Sequence, residues 1–308
     1  MATHSSSPTV GVIDVGSNTI KLLIAKAGDN TPAEKVDFIV EETRIGEGMT
    51  GHPPIIDEDA IQRGAAAITR LVKAAEGCDS TCIVATSAVR DASNKQEFVN
   101  AVEKACGHEL RILSGDEEAE FIGDALKCDP ALTKLESYSL LDLGGGSLEC
   151  IQFLNSQLQA AESLRLGSVR LASLLVKDRE QPLSSDCQKR ISDYVRERWL
   201  ASKFQARSSP SEIAVLTGGA AKHLASSLSE RQIEEGIFLE EFKRMGAHLC
   251  SLTAKGRVEE YRIPPSRSDI FPTAMVTLAA SLEYLGCELL YFSEFNLRFG
   301  VASKLLHG

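Results

Sequence analysis

The sequence predicts an α/β fold laid down twice, and three observations carry the prediction. Residues 12–21, VIDVGSNTIK, and 140–149, LLDLGGGSLE, share one pattern: two apolar residues, Asp, an apolar residue, Gly, two small residues and a hydroxyl. Each stretch reads as strand, tight turn and strand, followed by alternating helix-like and strand-like segments, the mark of an α/β module around a largely buried sheet. The length, 308 residues, suits two domains of roughly 100–200 residues each. A duplicated module implies two lobes with a cleft between them, and a ligand in that cleft is the default expectation.

The elements follow in order. Residues 10–13 and 20–25 predict the first hairpin, and 36–40 a third strand. In 58–76, EDAIQRGAAAITRLVKAAE, Ile61, Ala65, Ile68 and Val72 share one face at helical spacing. CIVATSAVRDASN (82–94) predicts a strand running into a polar turn, then a helix over 95–105, a strand over 109–115 and a helix over 116–126. The order then restarts with a hairpin at 139–143 and 148–154 and a further strand at 160–164. A helix over 186–203, a strand over 212–216 and the turn TGGAAKHLA come next. The last quarter reads as mainly helical, clearest over 271–285, after a Pro-rich connection at 260–269.

Composition narrows the function. A formal charge of −10 argues against non-specific nucleic-acid binding, which needs an excess of Lys and Arg. It leaves room for a small phosphorylated substrate held by a local cluster of donors. The N-terminal MATHSSSPTV does not read as a secretory signal, and no apolar run approaches the ~18–20 residues of a membrane span. Eight dispersed cysteines without a C-x-x-C, and six dispersed histidines, give no zinc signature. Buried thiols of a reducing cytoplasm are the expectation.

Four strand-end turns carry the chemistry. In DLGGGS (142–147), Gly144, Gly145 and Gly146 place no side chain between backbone and ligand, so their N–H groups can converge on phosphate oxygens. A Gly-Gly hairpin turn would look the same. Asp142 before and Glu149 after tilt the reading toward phosphate, because Mg²⁺ takes such hard oxygen ligands beside phosphate. In DVGSNT (14–19), Ser17, Asn18 and Thr19 are donors for a second face of the phosphate, and Asp14 is a further metal or water ligand candidate unless it only caps the turn. Arg90, after a strand end, offers phosphate a fixed fork of donors, or pairs with a nearby acid. SGDEEAE (114–120) opens a helix with acids that complement its dipole, or supply a general base. VLTGGAAKHLA (215–225) is strand, Gly-Gly turn and helix start, another anion-binding arrangement.

With these residues in hand, the chain resembles the exopolyphosphatase / guanosine pentaphosphate phosphohydrolase (Ppx/GppA) family. VGVIDVGSNTIKLLIA, ETRIGEG, ATSAVRDASN, ILSGDEEAEFIG, LLDLGGGSLE, LRLGSVRL and VLTGGAAKHLA stand in the family's order and spacing, over about residues 10–300. The resemblance implies an actin-like (ASKHA) α/β fold of two ribonuclease-H-like lobes with an interlobe cleft. The expected lobes are 1–123 plus 294–308, and 124–293. It implies hydrolysis of the terminal phosphoanhydride of inorganic polyphosphate, or of the 5′ γ-phosphate of guanosine pentaphosphate, with Mg²⁺. A monovalent cation is a further candidate cofactor, and a cytoplasmic homodimer the expected assembly, with neither nucleic acid nor membrane as a partner. By motif, Glu118 is the base and Glu117 the reserve. Asp142 and Glu149, with Asp14, hold metal, while Ser17, Asn18, Thr19, Arg90, Gly144, Gly145, Gly146, Ser147, Gly218 and Gly219 hold phosphate.

Three departures stand out. The sequence stops at 308, like the short two-domain members. Its FNLRFGVA segment has Phe299 where the family usually has an acid, and Ala220 stands where a hydroxyl is usual. Because the substrate the resemblance implies is a polyanion, a basic track of Lys21, Arg44, Arg90, Arg165, Arg170 and Lys222 is expected to line the cleft against an acidic exterior. Two other readings of the same residues are an actin-like ATP-dependent small-molecule kinase and a non-catalytic sensor of guanosine tetra/pentaphosphate.

Overall fold

The computed structural model describes residues 7–308 except 30, 50, 52, 127 and 133, so the first six residues of the polar tail lie outside it. In chain order the elements are β1 (Thr9–Val15), β2 (Thr19–Lys26), β3 (Glu34–Glu42), α1 (Glu58–Ala74), β4 (Ser80–Ala85), α2 (Ser87–Asp91), α3 (Lys95–Cys106), β5 (Leu110–Ile112) and α4 (Gly115–Leu126). There follow β6 (Tyr138–Leu143), β7 (Leu148–Leu154), β8 (Gln157–Leu164), α5 (Ser168–Leu175), α6 (Ser185–Leu200), β9 (Ile213–Thr217), α7 (Gly218–Ala225) and α8 (Glu230–Glu235). Then come β10 (Ile237–Phe238), α9 (Leu239–Ser251), α10 (Ala254–Tyr261), α11 (Pro265–Ser268), α12 (Phe271–Leu285), β11 (Leu289–Phe292) and α13 (Leu297–His307). Two compact units result: the chain up to Ile45 with Gly51–Thr133 and Phe295–Gly308, and Gly46–Thr50 with Lys134–Glu294. α4 runs unbroken through position 123, and the chain leaves the first unit only at Thr133.

The first unit holds a five-stranded sheet in the order β3-β2-β1-β4-β5. β1 is antiparallel to β2 and parallel to β4, and its run GVIDV is buried throughout, as a central strand covered on both faces requires. α1 begins where the Asp57 carboxylate accepts the Ala60 N–H at 2.7 Å, and buries Ile61, Ala65, Ile68 and Leu71. α13 returns to this unit and packs on α4 at Gly300, where a Cβ would run into the Phe121 carbonyl.

The second unit holds a six-stranded sheet in the order β10-β11-β9-β6-β7-β8. Its β8-β7-β6-β9 run repeats the β3-β2-β1-β4 run, with two antiparallel pairs and then a parallel one. One face carries a core in which Leu141, Cys150 and Leu216 meet Trp199, Phe242, Phe271 and Leu282. Trp199 is fully buried, and its indole N–H finds the Ser281 hydroxyl at 2.9 Å.

Three segments differ from the sequence reading. Residues 87–91, expected as a turn, are α2; the Gly-Gly turn expected ahead of a helix at 218–219 is already the first turn of α7; and the Pro-rich connection contains α11. Each helix begins directly off a strand or at a proline, where periodicity has too few residues to register. Short α5, β10 and β11 add to the predicted set. Among the described residues all eight cysteines are free thiols, and no helix is long and apolar enough to cross a membrane.

Candidate active site

In the second unit, Gly144 N–H bonds to the Ser147 carbonyl at 3.0 Å and closes the glycine turn. The loop carbonyls then face α5: Gly144 O accepts the Ser168 N–H at 3.0 Å, and Gly145 O those of Val169 and Arg170 at 2.9 and 3.0 Å. The Arg170 Nε donates to Gly146 O at 2.8 Å. The first N–H groups of α5 thus find acceptors in the loop, and the loop is tied by its carbonyl side. Among the described residues the N–H groups of Gly145, Gly146 and Ser147 have no protein acceptor. Gly167 must lack a side chain, because a Cβ there would overlap the backbone of Gly145 and Gly146.

Beneath this turn lies a row of polar residues. Asp142 stands directly opposite Glu149 in the β6–β7 pair, and both are buried, Glu149 to 2% exposure. Ser163 of β8 is aligned with Glu149 and donates its hydroxyl to Glu149 Oε1 at 2.7 Å. On the other flank Thr217 of β9 is aligned with Asp142. Gly218 follows with φ +91°, and a Cβ there would meet Asp142 Oδ1 at 2.5 Å. Gly219, the second residue of α7, lies against the Arg267 guanidinium, which occupies the space of its missing Cβ. Arg267 is absent from the sequence reading. Its signal, a lone Arg in a proline-rich stretch, has nothing in it to point to a glycine turn 48 positions upstream (267 − 219).

In the first unit Ser17, Asn18 and Thr19 are buried in the β1–β2 turn, closed by Gly16 N–H to Thr19 O at 3.2 Å. The Asn18 carbonyl accepts the N–H groups of Thr43 and Arg44, at 3.3 and 2.9 Å. Glu118, buried on the first turn of α4, takes Nη1 of Arg90 on Oε2 at 2.6 Å, and the same Nη1 reaches Leu113 O at 3.2 Å. Arg90 is therefore a partner of the expected base as well as a phosphate donor candidate.

Two of the expected residues already have protein partners. Glu117 is a cap: its N–H donates to Ser114 Oγ at 3.1 Å, its Oε2 accepts the Ser114 N–H at 2.8 Å, and its Oε1 meets Arg111 at 2.5 Å. The Ser114 backbone bond, then Arg111, pull its acidity to about 2, so the carboxylate is a weak proton acceptor. Asp14, expected as a further metal ligand, has different neighbours from Asp142. Its Oδ2 takes Arg298 Nη1 at 2.6 Å, and Lys21 stands opposite it where Glu149 stands opposite Asp142. A cation already compensates Asp14, and another beside it would be repelled.

Mg²⁺ is the test of the remaining acids. Among the described residues no three His, Cys, Asp or Glu side chains gather into a metal cage. Mg²⁺ needs none, being held typically by one or two carboxylates with waters and phosphate oxygens. Two buried carboxylates aligned across a strand pair repel each other, and an orphaned hydroxyl, Thr217 Oγ1, lies in the same row. That donor set fits the ion.

The chain is 24% identical over 310 residues to the guanosine-5'-triphosphate,3'-diphosphate pyrophosphatase of Vibrio vulnificus, across 99% of this chain and 61% of that protein. It is 27% identical over 315 residues to exopolyphosphatase 1 of Mycobacterium bovis, across 96% and 88% of the two. The crystal structure of an exopolyphosphatase from Cytophaga hutchinsonii aligns with a TM-score of 0.80 at 21% identity over 97% of both chains, so the two share an α/β fold. The chain thus spans 61% of the length of its Vibrio relative. The Ppx/GppA phosphatase family model matches residues 24–308, taking in both glycine turns of the second unit and the Glu118 helix, and the chain belongs to that family.

Proposed function

We propose that this chain hydrolyses a terminal phosphoanhydride, that of inorganic polyphosphate or the 5′ γ-phosphate of guanosine pentaphosphate. The observation that carries the reading is the buried Asp142–Glu149 pair set under a glycine turn whose N–H groups have no protein acceptor. Two like charges so placed call for a cation, and the N–H groups call for an anion; a metal-bound phosphate supplies both.

When bound, Mg²⁺ at Asp142 and Glu149 would neutralise charge on the phosphate oxygens. The chain's own residues do the rest. N–H groups of Gly145, Gly146 and Ser147 hold the transferring phosphoryl, with Gly218, Gly219, Ser17, Asn18 and Thr19 as further contacts. Preorganised donors of this kind dominate phosphoryl transfer, where the protein mostly positions and stabilises charge. Glu118 accepts the proton of the attacking water on a carboxylate oxygen, and Arg90 fixes that carboxylate's orientation. Arg267 adds positive charge at the Gly219 turn. Free thiols at all eight cysteines support a cytoplasmic setting, and a homodimer is the assembly to look for by light scattering.

The test is phosphate release, read colorimetrically, from tripolyphosphate, long-chain polyphosphate and guanosine pentaphosphate, each with and without MgCl₂. Mg²⁺-dependent release from at least one is expected. Release from none, with tight nucleotide binding, would mean a sensor; phosphorylation of a small acceptor from ATP alone would mean a kinase.

A further inference from the structure

The two sheets offer an internal comparison at the acid row. In the second unit the aligned residues across four strands are Thr217, Asp142, Glu149 and Ser163. In the first unit the same positions hold Val84, Asp14, Lys21 and Val40. Aligned residues of neighbouring strands project to one face of a sheet, so each set is a line of adjacent side chains. Where the acid faces Lys21 the flanks are valines; where it faces a second acid both flanks are hydroxyls.

One of those hydroxyls already serves its acid, Ser163 donating to Glu149 at 2.7 Å. The other does not. Thr217 is wholly buried, at 0% exposure, and its Oγ1 has no hydrogen-bond partner. It stands at the N-cap of α7, yet its side chain caps nothing. A buried hydroxyl without a partner is destabilising, and valine, as at position 84, would fill the same volume without that cost. The Asp142 carboxylate is within reach of this strand end, since Oδ1 lies 2.5 Å from the space a Gly218 Cβ would fill.

We infer that Thr217 is a positioning residue for the cation site: with a divalent ion bound, its hydroxyl donates to the Asp142 carboxylate, as Ser163 does to Glu149. The inference rests on the proposed cation role of Asp142 and Glu149. It also gives a use to a hydroxyl at this turn, whose following residues, Gly218 to Ala221, carry none. Outer partners of metal-bound carboxylates orient them, and their loss costs about 10–100-fold in metal affinity.

The experiment titrates MnCl₂, as a spectroscopic stand-in for Mg²⁺, into the full chain and follows loss of the free-ion EPR signal. Wild type, Thr217→Val and Thr217→Ser are compared, with melting temperatures recorded without metal. Thr217→Val should weaken Mn²⁺ binding about 10–100-fold, melt no lower than wild type, and be rescued by Thr217→Ser. Binding by Thr217→Val within twofold of wild type overturns the inference and leaves the acid pair standing. Equal loss in Val and Ser variants overturns it too, by making shape the cause. A Thr217→Val protein that melts lower or fails to fold does the same, because the hydroxyl then has work in the metal-free state. No binding by wild type removes the cation site itself, and Thr217's role with it.

Discussion

Glu117 gives its N–H to the Ser114 hydroxyl and takes the Ser114 N–H in return, while Glu118 next to it turns inward to Arg90. Glu117→Ala should therefore cost about 1 kcal/mol of stability, the usual value of such a cap, with kcat unchanged. Glu118→Gln should lower kcat by at least about 100-fold, with phosphate still bound. Denaturant melts and phosphate release on the two variants decide this, and full turnover by Glu118→Gln would remove it as the base. The pH dependence has a fixed sign. Glu117's acidity is depressed to about 2, so its stabilisation is complete well above the ordinary carboxylate value of 4.5 and fades progressively as pH falls through that value toward 2. The Glu117→Ala deficit should be constant from about pH 8 to pH 6 and shrink progressively below about pH 5. The cap itself has a sequence signal: Ser114 stands three residues before Glu117, which is the spacing of a capping box. The fate of Asp14 has none, because Arg298 lies 284 positions away and only the returning α13 brings it near.

At the scale of elements, the glycine turn owes its orientation to α5. Carbonyls of Gly144 and Gly145 take the first N–H groups of that helix, and Gly167 lets the two backbones touch. Gly167→Ala should force the turn and helix apart. A displacement on the order of 1 Å at a catalytic group costs about 100-fold in rate, so kcat/KM should fall by about that factor. Steady-state kinetics with tripolyphosphate give the answer, and a change under twofold would detach the turn from α5. Hairpins and amphipathic helices were readable because their periods of 2.0 and 3.6 residues recur over many positions. α5 was not, since eight residues give barely two turns, and its reason for being is a set of carbonyls more than twenty residues upstream. The start of α7 was readable only as a Gly-Gly turn ahead of a helix; the helix begins at Gly218 itself, at φ +91°.

Across the whole molecule, the duplication legible in two ten-residue stretches extends to sheet order and register, down to which residue faces each Asp. Charge is where the sequence says less. The chain carries −10, yet its proposed substrate is a polyanion. Several cations of the expected basic track have protein partners: Arg90 binds Glu118 at 2.6 Å, Lys222 lies 3.6 Å from Glu294, and Arg170 holds Gly146. Long-range repulsion and short-range attraction therefore compete, and salt separates them by distance. At about 10 mM salt the screening length is ~30 Å and the substrate meets the net charge; at about 150 mM it is ~8 Å and only nearby groups count. kcat/KM for long-chain polyphosphate should accordingly rise by about threefold or more between those salt concentrations, then fall as direct contacts are screened in turn. Tripolyphosphate, carrying far less charge, should respond less. Tetramethylammonium chloride as the salt keeps ionic strength apart from any specific effect of K⁺ or Na⁺. A kcat/KM that falls steadily from the lowest salt would mean that local positive charge governs the encounter and the net charge does not reach the substrate.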